Sequence, residues 1–376
     1  MKLFHISDLH LGKRVYEFSM LEEQRDLLQT VLNKIEEEKP DILLITGDVY
    51  DKPVPPTEAV KLLDWFLTEL SERRLPTYMI AGNHDSAQRL EFGKEIMGKN
   101  GIHIAGSIHG KPEQFTETDV FGNVNIWLMP FFKPAHVNGA LGESFSSYGE
   151  AAKALLERAE IDFTERNIIL VHQFVTWKGK AERSDSEMLS LGGVEEIDAS
   201  LFFHFDYAAL GHLHSPQRIG KDTVRYAGSP MPYSFSEIRQ KKGITVVELK
   251  EKGTVFMDFI PLETKRSYRE IIGPLQELID TAKAEGGSED YIRCVLTNQE
   301  ALLDPIGQLR SVYPNLMTLE FAQRDSAYEQ EITVDMEEIK PDELFAVFFE
   351  KQNEKELDET QHKLLQKIWK GMEGAE

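Results

Sequence analysis

Short apolar runs alternate with longer segments of helical periodicity through the first half of the chain. Leu3–Ile6, Ile42–Thr46, Thr77–Ala81, Ile126–Met129 and Asn167–Val171 are brief, rich in branched aliphatic residues and bounded by turn formers, which predicts buried strands. Between them, Leu21–Lys39 and Thr57–Arg73 have the spacing of amphipathic helices, the second with Val60, Leu63, Leu67 and Leu70 on its apolar face. This alternation predicts an α/β layer fold, with helices covering a central sheet. Beyond Leu210 the runs Thr223–Ala227, Gly243–Leu249 and Thr254–Ile260 are hairpin-like and predict a second, more antiparallel sheet. After Pro261–Ser267 the pattern becomes strand Tyr268–Ile272, helix Pro274–Ala284, strand Tyr291–Leu296, helix Pro305–Val312 and strand Leu316–Phe321, a small βαβαβ unit broken by Gly286-Gly287. From Pro341 two amphipathic helical segments follow, anchored by Leu344, Phe345, Phe348 and Phe349, and by Leu357, Leu364, Leu365, Ile368 and Trp369.

Composition adds limits. The 376 residues suit two or three domains, and 41% hydrophobic residues exclude a largely disordered chain. No run of about 18 uncharged apolar residues exists, so no membrane span is expected. The N-terminus reaches Asp8 too early for a signal peptide, and the lone Cys294 has no disulfide partner, so a cytoplasmic protein is expected. A net charge of -22 argues against unaided, non-specific binding to nucleic acid. The charge is uneven: residues 325–376 hold 15 acidic and 6 basic side chains. Much of the acidity therefore belongs to the tail.

Five apolar strands each run into metal-ligand residue types at their C-terminal ends. The clusters are Asp8 and His10; Gly47, Asp48 and Asp51; Gly82, Asn83, His84 and Asp85; His172; and Gly211, His212 and His214. Ligand sites in α/β sheets lie outside the carboxyl ends of strands, so the five can share one cleft. Residues i and i+2 of an extended segment point the same way, which lets Asp8 act with His10 and His212 with His214. Mixed carboxylate, imidazole and amide ligands suit manganese, iron or zinc, and the absence of cysteine ligands excludes a structural zinc finger. Any one cluster has a plainer reading: a buried histidine is usually a hydrogen-bonded core residue, and Gly-Asn-His-Asp is also an ordinary turn sequence. His5, His103, His109, His136, His204 and His362 are read as structural or surface residues. Five such clusters in order favour a metal site.

These residues resemble the calcineurin-like metallophosphoesterases. Within them, Gly82-Asn83-His84-Asp85-Ser86-Ala87-Gln88-Arg89-Leu90, Gly211-His212-Leu213-His214-Ser215-Pro216-Gln217 and the segment from Tyr226 to Glu237 resemble the SbcD family of bacterial nuclease subunits. The likeness spans essentially the whole chain. It implies a four-layer fold of two sheets flanked by helices, with a small α/β capping domain and C-terminal helices. The corresponding boundaries are a nuclease domain at 1–265, a capping domain at 266–325 and an acidic helical segment at 326–376.

The resemblance also implies roles. Asp8, His10, Asp48 and His214 would hold one divalent ion, and Asp48, Asn83, His172 and His212 the other, with Mn2+ expected and Mg2+ an alternative. His84 would contact the scissile phosphate and assist the leaving group, and Asp85 would orient it or serve the loop. Archaeal and eukaryotic relatives often have a histidine where this chain has Asp51, so a second phosphate-guiding histidine is absent. Lys13, Arg14 and Arg89 follow ligand motifs and are candidate DNA contacts, against the plainer reading of solvated surface charge. The implied partners are DNA, an SbcC-type ATPase with a long coiled coil that docks the acidic tail, and a second copy within a heterotetramer. The implied activity is 3'-5' exonuclease on duplex ends and endonuclease on single strands and hairpins, serving DNA repair, recombination and replication. Competing readings are a metallophosphatase or small phosphodiesterase on the same scaffold, and a module that keeps the fold without chemistry.

Overall fold

The computed structural model describes residues 1–182, 184–185, 196–298, 300, 302–322, 345, 349, 355 and 357–365. These fall into two compact units, 1–322 and 323–376. In the first unit the chain runs through β1 (Lys2–Ile6), α1 (Leu21–Glu38), β2 (Ile42–Thr46), α2 (Thr57–Glu72), β3 (Thr77–Ile80) and β4 (Ile102–Ala105). It continues with β5 (Glu113–Asp119), β6 (Gly122–Met129), α3 (Tyr148–Arg158), β7 (Arg166–His172), β8 (Tyr207–Gly211), β9 (Gln217–Ile219) and β10 (Lys221–Tyr226). Then come β11 (Gly243–Leu249), β12 (Val255–Pro261), β13 (Tyr268–Gly273), α4 (Leu275–Glu285), β14 (Tyr291–Leu296), α5 (Pro305–Arg310) and β15 (Leu316–Phe321).

Among the described residues the first six-stranded sheet has the order β12-β11-β1-β2-β3-β4, and the second β9-β10-β8-β7-β6-β5. The two-residue alternation of each strand explains why they stack. Leu3, Ile42, Leu44, Ile168, Leu170, Tyr207 and Ala209 point into a shared core between the sheets. Their neighbours Phe4, Ile6, Leu43 and Ile45 face the other way, against α1 and α2. On the far side Ile169 and Val171 meet Tyr148, Ala151, Ala152 and Leu155 of α3. The result is helix, sheet, sheet, helix, the four-layer arrangement expected.

Two expectations are corrected. The runs after Leu210 build no sheet of their own. β11 and β12 extend the first sheet, β11 pairing antiparallel to β1, while β10 joins the second sheet parallel to β8. Strand pairing is a long-range choice that local periodicity does not carry. In α2 the buried stripe is Ala59, Leu62, Leu63, Phe66 and Leu70; Val60 is exposed. Leu63 and Leu70 are common to both stripes; the rest differ because the face of a helix that is buried is set by the sheet and helix it packs on, and spacing alone leaves neighbouring faces open.

The βαβαβ unit forms as expected, a parallel sheet of β13, β14 and β15. Asp304 caps α5 by accepting from the Gly307 amide at 3.0 Å, and Gly286 in the left-handed region ends α4. Its core packs Leu275, Ile279 and Leu309 on Ile292, Cys294 and Leu296. The unit is tied to α1 by Arg266, whose guanidinium lies 2.5 Å from the buried Glu23 carboxylate, and by Tyr268, which meets the Met20 sulfur at 3.3 Å. Of the second unit, 359–365 are helical; Leu344, Phe348, Ile368 and Trp369, expected as helix anchors, lie outside the described residues.

Candidate metal centre

Loops leaving the C-terminal ends of strands in both sheets meet at one place. Asp8 and His10 follow β1, Asp48 follows β2, Asn83 and His84 follow β3, His172 ends β7, and His212 and His214 follow β8. Asp8, His10, Asp48, His172, His212 and His214 are all buried, whereas Asn83 and His84 are half-buried at the rim. Asp8, His10 and His214 offer ligand atoms within 4.8 Å of one another, as do His10, Asp48 and His84, and Asp8, Asp48 and His172.

The backbone pays heavily to place these groups. Asp8, His10, Asp48 and His212 all have positive φ, at 53°, 44°, 48° and 111°. A non-glycine residue held so costs about 1–3 kcal/mol, and such residues cluster where function demands them. Glycines supply the clearance. A Cβ on Gly82 would fall on the Asp48 carboxylate, and one on Gly211 on the Thr46 carbonyl and the Ser7 hydroxyl.

The imidazoles are anchored so that ring nitrogens converge. His172 Nδ1 donates to the Thr46 carbonyl at 2.7 Å, which leaves its Nε2 3.4 Å from Asp48 Oδ2 and 3.1 Å from Asn83 Oδ1. His214 Nδ1 lies 3.4 Å from Glu237 Oε1, and its Nε2 faces His10 Nε2 at 3.1 Å. His10 Nε2 is in turn 3.7 Å from Asp48 Oδ2, and His212 Nδ1 is 2.9 Å from Asn83 Oδ1. Lone pairs aimed at lone pairs and at carboxylate oxygens repel unless a proton or a cation lies between them. Burial shows the same tension: it raises the Asp8 carboxyl above its usual range and lowers His212 to about 3. Burial also works against charge on His172, but the Asp48 carboxylate outweighs it and lifts the imidazole to about 9. An oxygen and imidazole set without thiolates fits borderline or hard divalent ions.

The other expected residues are placed as follows. Asp85 accepts from the amides of Val49, Tyr50 and Gly82 at 3.1, 2.8 and 2.8 Å, so its carboxylate buckles the two ligand loops together. His84 Nδ1 instead donates to the Asp51 carbonyl at 2.9 Å, and the His84 ring stands edge-on to His10, 4.8 Å between centroids. Lys13 is half-buried beside the cluster and pairs with Asp51 Oδ1 at 2.8 Å. Arg14 is exposed and pairs with Glu17 at 3.5 Å, and Arg89 is exposed on the short helix Ala87–Leu90. Sequence reasoning passed over three supports. The Gln24 amide donates to the carbonyls of Leu9 and His10 at 3.2 and 2.8 Å, Tyr233 hydrogen bonds to the Leu9 carbonyl, and Glu237 stands behind His214. The only signal for the last two was their place in the 226–237 motif.

The sequence also matches known proteins. The calcineurin-like phosphoesterase family model matches residues 1–216, and the type 5 capsule protein repressor C-terminal domain matches 260–353. The SbcD subunit of the nuclease SbcCD from Staphylococcus epidermidis is 33% identical over 324 residues, 85% of this chain and 85% of that protein. The chain belongs to the SbcD family of calcineurin-like phosphoesterases. As a member it is a metal-dependent hydrolase, and the buried His/Asp cluster is where this SbcD-family chain can bind divalent metal. Two solved structures are more distant: a dimetal phosphatase from Danio rerio (12% identity, 70% of this chain and 98% of that one, TM-score 0.43) and TT1561 of Thermus thermophilus (13% identity, 69% and 98%, TM-score 0.41). Among the described residues no helix is long and apolar enough to cross a membrane.

Proposed function

We propose that the chain hydrolyses DNA phosphodiester bonds as the nuclease subunit of a complex with an SbcC-type ATPase. It acts as a 3'-5' exonuclease on duplex ends and an endonuclease on single strands and hairpins, in repair, recombination and replication. The reading rests on one observation above all: imidazole Nε2 atoms from two sheets face the Asp48 carboxylate while His84 stands at the open rim. One ion would be held by Asp8, His10, Asp48 and His214, the other by Asp48, Asn83, His172 and His212, with Mn2+ favoured over Mg2+. When bound, such a pair neutralises phosphate charge and lowers the pKa of water. This also answers the net charge of -22, because local charge at the scissile phosphate matters more than the total.

The chain's own contribution centres on His84. Its Nδ1–H is held by the Asp51 carbonyl, so Nε2 is the atom that gains and gives a proton, and a protonated Nε2 can hand one to a leaving oxygen. Lys13 contributes at the rim; Arg14 and Arg89 are exposed and able to meet the DNA backbone. Residues 1–265 form the nuclease domain, 266–325 the capping domain, and 326–376 the segment that docks the ATPase; the subunit dimerises within the heterotetramer and works in the cytoplasm.

The deciding experiment incubates the full chain with Mn2+, with and without the ATPase, on end-labelled duplex, hairpin and single-stranded DNA. Replacing His84 with Ala should lower cleavage by about 10²–10⁴-fold while Mn2+ binding persists. Full activity in that variant would remove His84 from the mechanism. Turnover of nucleotides without any cutting of DNA would instead favour a small phosphodiesterase.

A further inference from the structure

The motif segment after β10 has no part in the proposed chemistry, yet with Lys242 it packs behind one candidate ligand, His214. Gly228 has a φ of 75°, and a Cβ there would crowd the His214 carbonyl. That carbonyl accepts from the Ser229 amide at 3.1 Å and from Lys242 Nζ at 2.8 Å. Lys242 also pairs with Glu237 Oε2 at 2.6 Å, with side chains 4% and 0% exposed. The other oxygen of Glu237 lies 3.4 Å from His214 Nδ1 and accepts from the Ser234 hydroxyl at 3.0 Å. A buried ion pair is a poor way to gain stability, since well-packed apolar residues often do as well or better. Its geometry here serves another end. A carboxylate behind an imidazole sets the proton on the near nitrogen and leaves the far one free to coordinate.

We propose that Glu237, backed by Lys242, is a positioning residue that holds His214 with its proton on Nδ1 and its Nε2 aimed at Asp8 and His10, and so strengthens one ion site selectively. The inference rests on the two-ion reading above. His172 obtains the same service from the Thr46 carbonyl and owes nothing to Glu237, which makes the two sites separable.

The test is Mn2+ titration of the full chain, followed by the electron paramagnetic resonance signal of free ion, for wild type, Glu237→Gln and the double variant Glu237→Gln/Lys242→Met. The double variant also removes the buried cation that pairs with Glu237. Wild type should take up two ions. Both variants should bind one with unchanged affinity and the other about 10–100-fold more weakly, with cleavage recovering at high Mn2+. Two wild-type affinities in both variants would overturn the proposal. Equal weakening of both ions together with a lower melting temperature would also overturn it, as a purely structural effect. A wild-type chain that takes up no Mn2+ overturns the metal-centre reading itself, and this proposal with it.

Discussion

At the scale of single residues, the centre is shaped as much by missing atoms as by ligands. Asp48 and His172 can approach only because Gly47 and Gly82 carry no side chain beside them. Gly82 and Gly211 are therefore sharper probes than the ligands. Gly82→Ala would place its methyl on the Asp48 carboxylate, and Gly211→Ala on the Thr46 carbonyl that anchors His172. Each change should abolish tight Mn2+ binding, measured by calorimetric titration, although no donor atom is removed. The candidate ligands Asp8, His10, His212 and His214 were legible in the sequence as donor types clustered just past strand ends, but the extended alternation expected to pair them does not hold, because Asp8, His10 and His212 turn into positive φ. Glu237 was not legible. Its partner His214 is 23 positions away across a turn, and a glutamate in a Ser-rich segment looks like surface until the fold buries it.

At the scale of elements, periodicity located the strands and helices well but oriented them less securely. The five early strands and the whole βαβαβ unit fall where the apolar runs and turn residues put them, because these signals are local. The face of α2 is different, since a helix buries whatever the sheet beneath it meets. Phe66 is fully buried against the first sheet, while Val60 is 44% exposed. Phe66→Ala should destabilise the protein by about 3–5 kcal/mol, and Val60→Ser should stay within about 0.5 kcal/mol, both read from urea unfolding. The reverse order would mean that the stripe inferred from spacing alone was the true one. The strands after Leu210 carry the same lesson: their residues specify extended chain, and the open edges of the two sheets decide where each one pairs.

At the scale of the whole first unit, function depends on two sheets meeting. β1, β2 and β3 deliver Asp8, His10, Asp48, Asn83 and His84, and β7 and β8 deliver His172, His212 and His214. The βαβαβ unit joins this body through α1, where Glu23 is almost fully buried and takes Arg266 at 2.5 Å and the Tyr291 hydroxyl at 3.4 Å. Arg266→Ala would leave that buried carboxylate without its half-buried cation, and an unsatisfied buried acceptor costs about 1–3 kcal/mol. The unfolding midpoint should fall accordingly, and Glu23→Gln in the same chain should restore part of it. Mn2+ affinity should stay near wild type, because Glu23 supplies no ligand and the neighbouring Gln24 holds the His10 loop independently.

The sequence by itself determined which elements form and which residue types end the strands, and donor chemistry pointed to a metal site; that the site is of the phosphoesterase kind came from the resemblance of its motifs to a known family. The first of these follow from local propensity and donor chemistry, which act over a few positions. Only the tertiary structure decided that the two sets of ligands come from opposite sheets, that Asp85 braces loops, and that Glu237 stands behind His214. Those outcomes depend on which surfaces become buried together. Burial is what turns a carboxylate or an imidazole into a costly group that must find a partner, and the identity of that partner is a property of the packed molecule.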